Sequence, residues 1–212
     1  MNRFMSLYGE RIAAAFVTHF IYVIVSVLIA FVIALLLGIL LSRAPKLAVI
    51  MIPAMSVFQT IPGIVFIGIL FLYLGMRPIT VIIALSTYAV FPMLKNTYVG
   101  LVEVPRECVE SAKGCGMSPV QTLVRVEIPL ALPSIISGLR MSTIYTVSWA
   151  VLTAMIGLGG LGELIFAGVS SNNNALIMAG AIPAAVMAVI LSQAIDLLRK
   201  FLIPKPIRRD AR

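Results

Sequence analysis

Long apolar runs separated by short polar segments are the dominant pattern along this chain. A helix needs about 20 consecutive apolar residues to cross a bilayer. The runs that reach this length cover residues 18–41, 46–75, 79–99, 134–156 and 174–198. The pattern therefore predicts an all-α integral membrane protein, with five transmembrane helices in a single domain over residues 1–212.

The second run is longer than one spanning helix requires and contains two prolines, Pro53 and Pro62. Dividing it at the tetrapeptide "QTIP", residues 59–62, would leave two pieces of about 13–14 residues, each too short to span. We therefore predict one long helix that is kinked at its prolines. Backbone groups freed by the kink would bond to neighbouring helices.

The composition supports a membrane location. Hydrophobic residues make up 61% of the chain and charged residues 11%, and the mean hydropathy is +1.10. A soluble domain is about 45–50% apolar and about 25% charged. This chain lacks the polar surface that a water-soluble globule would need.

The formal net charge of +8 is better explained by membrane orientation than by nucleic-acid binding. No basic stripe interleaved with aromatic residues is present, so no nucleic-acid partner is predicted. Lys and Arg collect on the cytoplasmic side of membrane proteins. With the C-terminus inside, most cations, Arg199 among them, are cytoplasmic, and Arg3, Arg11 and Arg77 lie outside. We predict an outer N-terminus and a tail, residues 205–212, at anionic lipid headgroups.

Candidates for metal or redox chemistry are few. Cys108 and Cys115 lie seven positions apart, which is not a zinc-ligand spacing, so free thiols are expected. His19 is the only histidine and lies at the outer edge of the first span. Without partner ligands, an interface role is favoured for it over metal binding or proton relay. Charged residues of the spans lie near span ends, which argues against a proton- or sodium-coupled carrier.

A polar segment, residues 103–129, separates the third and fourth spans and holds half of the acidic residues. Its first part predicts a short helix that begins at Pro105 and ends near Gly114 and Gly116. A second short helix is predicted with Ser118 as its N-cap. Two capped helices exceed what a plain connector needs, so the segment is interpreted as a docking element for a soluble partner.

This segment resembles the "EAA loop" of ABC importer permeases. The family pattern is E-A-A, three residues, G, nine residues and I-x-L-P; here "ESA" stands at residues 110–112, Gly116 follows, and "VEIP" stands at residues 126–129. The spacing is intact, and the five spans agree with the type I importer arrangement. Three positions depart from the pattern by residues of similar size: Ser111, Val126 and Ile128.

Within that family, the stretches "VFQTIPGIVFIGIL", "YAVFPMLKNTYVGL", "ESAKGCGM" and "IGLGGLGELIF" most resemble permeases for glycine betaine, carnitine and choline. The resemblance implies a second permease subunit, identical or paralogous, two ATP-binding subunits and an external substrate-binding protein. ATP and magnesium would belong to the ATPase, so no catalytic residue and no cofactor are expected on this chain. The location would be the cell membrane of a bacterium or archaeon. Other small zwitterions, such as methionine or a sulfonate, and a secondary carrier are the alternatives.

The resemblance also implies which residues contact the ATPase. The polar segment of each permease would sit in a groove on an ATPase subunit and transmit its closure to the membrane helices. The ATPase-coupling residues implied in this way are Glu107, Glu110, Ser111, Ala112, Gly114, Gly116 and Met117.

Aromatic residues in the spans are candidates for the translocation path, because aromatic faces attract quaternary ammonium groups. Polar side chains at the predicted kink add further contacts. The path candidates are Phe58, Gln59, Thr60, Pro62, Tyr88, Tyr145 and Trp149. Ordinary helix packing is the alternative for each of them.

The stretch "IGLGGLGELI", residues 156–165, contains the G-x-G-x-x-G spacing of a dinucleotide site. A membrane span precedes it, and position 182, where a ribose-binding acid is expected, is Ile182. Nucleotide binding is therefore excluded in favour of a turn at the outer end of the fourth span. The residues predicted to form an outer gate or hinge are Gly157, Gly159, Gly160 and Gly162.

Overall fold

Helices account for nearly all of the backbone in the computed structural model, which describes residues 2–154 and 157–203, with side chains from Tyr8 onward. The predicted tail at residues 205–212 and the end of the fourth span at residues 155–156 lie outside the described residues. The helices are α1 (Asn2–Arg43), α2 (Pro45–Phe58), α3 (Gly63–Leu74), α4 (Pro78–Val102), α5 (Arg106–Gly114), α6 (Pro119–Thr122), α7 (Ile128–Thr153), α8 (Leu161–Ser170) and α9 (Asn174–Leu202). A π-helical turn, Leu123–Glu127, joins α6 to α7.

Among the described residues, four helices are long and apolar enough to cross a membrane, and α2 and α3 make a fifth span if the pair is counted as one. The angle between α2 and α3 is 91°. The prediction of one kinked helix over residues 46–75 is therefore wrong in form, since a sharp break separates two helices. Pro53 lies inside α2 without ending it, whereas Pro62 precedes α3 as its N-cap, with extended backbone at ψ 127°.

The second helix of the polar segment is not a separate element. α6, the π-helical turn and α7 form one continuous helix of 35 residues, Pro119–Thr153. Pro129 lies in the first turn of α7 and Pro133 lies further along α7, and neither proline ends the long helix. The helix of the fourth span thus begins well before residue 134, and its first turns contain the end of the polar segment, residues 119–129.

The centre of the molecule is α4, which is the most buried of the candidate spans. It packs between α1 and α7. Gly38 of α1 allows one close approach, since a Cβ there would lie 2.6 Å from Cγ2 of Thr97. Between α4 and α7, the Ser142 hydroxyl donates to the Ala89 carbonyl at 2.6 Å. Small residues therefore serve helix packing inside this chain.

His19 is completely buried in α1, and its Nε2 lies 3.2 Å from the carbonyl oxygen of Val147 in α7. The histidine therefore joins two helices of the same chain. The side chain has no exposed surface in this chain, and the interface role favoured from the sequence stays a prediction.

Candidate functional site

Helix α5 displays most of the predicted coupling residues on an exposed face. Glu107, Glu110, Ser111 and Gly114 are all exposed, and Met117 is half-buried. Ala112 is buried, and Val109 packs against a small core that contains Val104. The apolar residues of this helix therefore attach it to the bundle, which leaves its polar face open to a partner.

Gly116 ends this helix in a defined turn. Its φ of +78° is a conformation that glycine adopts without steric cost. The Gly116 amide donates to the Lys113 carbonyl at 2.9 Å, and the Met117 amide donates to the Ala112 carbonyl at 3.1 Å. This pair of bonds is the Schellman motif, which satisfies carbonyls at a helix end. The left-handed backbone at this position therefore explains why a glycine suits the family pattern here.

The next turn is also held by its own side chains. Ser118 accepts a hydrogen bond from the Gln121 amide at 3.3 Å, and the Gln121 side chain accepts from the Ser118 amide at 2.8 Å. This reciprocal capping box fixes the start of the long helix Pro119–Thr153. Helix α5 and the long helix are therefore joined by a short, well-bonded corner, residues 115–118.

An ion pair between Arg43 and Glu127 connects this corner to the end of α1. The Glu127 side chain is almost fully buried, whereas that of Arg43 is half exposed. Sequence analysis did not identify this pair, because the two residues are 84 positions apart and neither belongs to a motif of charged residues.

The aromatic path candidates come together around the break between α2 and α3. The rings of Tyr88 and Trp149 stack with centroids 4.6 Å apart, and Phe58 lies 5.7 Å from Tyr88. Phe66, which sequence analysis did not select, completes the cluster at 5.4 Å from Tyr88. The sequence did not indicate it, because a single continuous helix over residues 46–75 does not fold Phe66 back against Phe58 as the 91° break does.

Hydrogen bonds fix the geometry of this break. The side-chain amide of Gln59 donates to the Tyr88 carbonyl at 3.1 Å, and the Tyr88 hydroxyl donates to the Ile61 carbonyl at 2.7 Å. Thr60 donates back to the Val57 carbonyl at 2.7 Å, and both Thr60 and Pro62 are exposed. These bonds satisfy backbone groups freed by the break, as a membrane interior requires.

A cavity of about 230 Å³ opens beside the cluster. Its lining combines apolar walls with a few polar groups: Gln59, Leu85, Tyr88, Ala89, Tyr145, Thr146 and Trp149. Four of the seven predicted path residues line it, and Tyr145 is 49% exposed there. We refer to this cavity as the aromatic groove.

Three of the four glycines predicted to form a gate or hinge have left-handed backbone: φ is +79° at Gly157, +80° at Gly159 and +93° at Gly160. Gly162 differs, because it lies inside α8 and a Cβ there would overlap the carbonyl of Val151 in α7. Three of the positions thus form a turn, and the fourth allows two helices to approach closely.

Helix α1 holds the loop and the helix that these glycines lead into. The Tyr22 hydroxyl donates to the Leu158 carbonyl at 3.1 Å. Arg11 forms an ion pair at 2.9 Å with Glu163, in the first turn of α8. The Glu163 carboxylate is therefore paired with a cation of the same chain, Arg11.

Metal ligands do not come together in the part of the chain that the structure describes. No three His, Cys, Asp or Glu side chains are grouped as a metal site requires there. Cys108 and Cys115 are exposed free thiols on and beside α5. The described residues thus offer an exposed polar helix and an aromatic groove as candidate sites.

Comparison with known proteins identifies the family. Residues 30–208 match the model of the binding-protein-dependent transport system inner membrane component. The carnitine transport permease protein OpuCB of Listeria monocytogenes is 41% identical over 170 residues, which are 80% of this chain and 78% of that protein. The glycine betaine/carnitine/choline permease OpuCD of Bacillus subtilis (strain 168) is 35% identical over 205 residues, 96% of this chain and 90% of that protein.

A solved structure shows the same fold. An inward-facing structure of the MetNI methionine ABC transporter matches with a TM-score of 0.82 at 21% identity, covering 91% of this chain and 96% of the matched chain. The fold is therefore that of a type I ABC importer permease. The chain belongs to the family of binding-protein-dependent transport system inner membrane components and is a multi-pass membrane permease of the ABC transporter class.

Proposed function

We propose that this chain is the permease subunit of an ATP-driven importer for quaternary ammonium osmoprotectants such as glycine betaine, carnitine and choline. Its relatives are permeases named for these solutes. The aromatic groove supports the same substrate class, because its lining includes the aromatic rings of Tyr145 and Trp149, and aromatic faces attract a quaternary ammonium cation.

The long helix Pro119–Thr153 is the observation that carries this proposal. One end adjoins the exposed coupling helix, and the other end carries Trp149 of the aromatic groove. Motion of α5 would reach the groove through one rigid element of 35 residues. In the proposed cycle, an ATPase subunit binds α5, and ATP-driven closure of the ATPase pair opens the groove to the outside.

The remaining partners follow from this arrangement. A second permease subunit, of the same or a paralogous chain, completes the path, and two ATPase subunits hold ATP and Mg²⁺. An external binding protein delivers the substrate. This chain lies in the bacterial cell membrane with its N-terminus outside the cell and its C-terminus inside. Exposed apolar residues such as Leu28, Val32 and Leu36 of α1 contact lipid.

Transport by the purified complex tests the proposal. The complex is isolated through a tag on this chain and placed in proteoliposomes with its binding protein. We expect accumulation of radiolabelled glycine betaine, carnitine or choline that requires ATP. ATP-dependent accumulation of methionine instead would support the alternative cargo. Concentrative uptake by this chain without an ATPase would contradict the proposal and indicate a secondary carrier.

The outer glycine loop, residues 157–160, is proposed as a gate of this importer. Its left-handed positions permit a turn that other residues make only with strain. In the same assay, Gly159→Leu should lower uptake while ATP hydrolysis stays measurable. Unchanged uptake would contradict a gating role.

A further inference from the structure

A second cavity lies next to the aromatic groove on the same helix. It measures about 380 Å³, and Tyr145 borders both cavities. Arg140 in the second cavity and Trp149 in the groove are nine positions apart, or about 13 Å along the axis of α7. We call the second cavity the charged vestibule. Its polar lining residues are Ser137, Arg140, Tyr145, Asp196 and Arg199.

The charges in this vestibule are only partly satisfied within the chain. Nε of Arg140 donates to the Ser192 hydroxyl at 2.7 Å, and one terminal nitrogen lies 3.4 Å from a carboxylate oxygen of Asp196. The Arg140 side chain remains 45% exposed. A guanidinium has five N–H donors in a fixed fork, so most of those of Arg140 are left for another acceptor.

The balance of charge in the vestibule is positive. Arg140 and Arg199 together outweigh Asp196 by one charge. Charged side chains within membrane helices avoid lipid and face cavities or protein partners. The vestibule is therefore suited to a water-filled passage, and its excess positive charge would attract the carboxylate of a ligand.

We infer that the charged vestibule is a second substrate site, and that it selects betaines that carry a carboxylate. This inference rests on the proposed function and specifies its substrate class. The substrate carboxylate bonds to Arg140, with Arg199 at the rim, and the ammonium group lies towards Asp196 and the ring of Tyr145. Arg–carboxylate pairs are frequently bidentate and charge-assisted, which gives the site its selectivity.

Choline and glycine betaine differ in the group that matters here. Both carry a trimethylammonium head, but only glycine betaine has a carboxylate. Choline would add a second net positive charge to the vestibule, whereas glycine betaine would add none.

An anionic lipid headgroup is the competing occupant, and the Asp196 carboxylate would oppose its phosphate.

Protection of an introduced thiol tests occupancy of the vestibule. Ser137→Cys is made with Cys108→Ser and Cys115→Ser, and alkylation by radiolabelled N-ethylmaleimide is followed in the assembled complex. Glycine betaine should slow alkylation, choline should slow it much less, and Arg140→Gln should weaken the glycine betaine effect by roughly tenfold, as for a lost charge-assisted bond. Arg77→Gln, at the exposed residue before α4, is the matched control and should change nothing.

Several outcomes would overturn the inference. These are equal protection by choline, protection that survives Arg140→Gln, no alkylation or protection at all, and displacement of glycine betaine by phosphatidylglycerol vesicles. If the Arg140→Gln complex does not assemble, Arg199→Gln provides the same comparison without breaking the pair with Asp196.

Uptake rates separate this inference from the proposed function. At saturating loaded binding protein, Arg140→Gln should lower the ratio of maximal glycine betaine uptake to maximal choline uptake. A purely structural role for Arg140 would lower both rates equally, which would overturn the inference alone. Absence of ATP-dependent uptake of every betaine by the wild-type complex would instead overturn the proposed function.

Discussion

At the scale of single residues, Gly63 and Trp149 decide the shape of the aromatic groove. Gly63 is the first residue of α3, directly after the break, and a Cβ there would overlap the indole ring of Trp149. The ring stacks at 24° on Tyr88, which itself bonds to the broken segment through Ile61. One missing methyl group thus permits the indole to lie between α3 and α4.

We expect Gly63→Ala to displace Trp149 and to lower substrate uptake strongly. The added methyl has no space unless the indole or the start of α3 moves, because the overlap is with a large ring. Trp149 is the only tryptophan of the chain, so its fluorescence emission in the purified permease reports the displacement directly.

Gly68, in the same helix, is the matched control for this substitution. A Cβ at Gly68 would meet nothing within 4 Å, so Gly68→Ala should leave emission and uptake unchanged. It should even favour the helix slightly, since Ala is a better helix former than Gly by about 1 kcal/mol. Equal spectra for Gly63→Ala and the wild type would show that the ring does not depend on this contact.

At the scale of elements, the end of α5 depends on one backbone conformation. Gly116→Ala should destabilise the Schellman turn by about 1 kcal/mol, because a Cβ is unfavourable at φ +78°. The turn sets the angle at which α5 meets the long helix, so ATP-dependent uptake should fall while ATP hydrolysis continues. Both rates are measured in proteoliposomes containing the complex.

Gly114 is the control within the same helix end. It is exposed, its backbone is helical, and a Cβ there would meet nothing within 4 Å. Gly114→Ala should therefore leave the turn unchanged, which separates the turn from the ATPase contact that the family resemblance implies for this face. If both substitutions reduced uptake equally, contact of this face with the ATPase, rather than the turn, would be the cause.

The elements differ in how far their sequence determines them. The position of α5 and the glycine turn follow from local signals, namely Pro105, Gly116 and the cap at Ser118, which act within a few residues. The break after Phe58 was missed because hydropathy reports only that a segment is apolar. Its 91° bend is held by bonds to Tyr88, which lies 29 positions from Gln59.

The candidate site shows the same division. Stacking of Tyr88 on Trp149 and the contact with Phe66 depend on how α3, α4 and α7 pack, and a single sequence does not specify that packing. The residue types were recognisable as aromatic, but their grouping was not. The pairing of Arg140 with Asp196 likewise depends on the placement of α9 beside α7.

At the scale of the whole molecule, α1 is attached to both candidate functional ends. Near its start, Arg11 pairs with Glu163 beside the glycine loop, residues 157–160. At its last residue, Arg43 pairs with Glu127 beside the corner between α5 and the long helix Pro119–Thr153. The two pairs differ in burial: Arg11 and Glu163 are each about half exposed, whereas Glu127 is 6% exposed.

Burial predicts that these two ion pairs contribute very differently to stability. Arg43→Ala leaves the buried Glu127 carboxylate unpaired and should lower the free energy of unfolding by about 2 kcal/mol. This loss is smaller than for a fully buried pair, because Arg43 is half exposed. Arg11→Ala should cost less than about 1 kcal/mol, as for surface pairs. The melting temperature in detergent should fall by about 5 °C for Arg43→Ala and hardly change for Arg11→Ala.

Glu127→Gln separates the cost of an unpaired charge from the loss of a contact. The amide is nearly isosteric with the carboxylate and neutral, so its burial beside Arg43 is cheaper than that of an unpaired anion. We therefore expect Glu127→Gln to lower the melting temperature less than Arg43→Ala does. Equal decreases would show that packing at the corner, and not charge, ties α1 to the coupling segment.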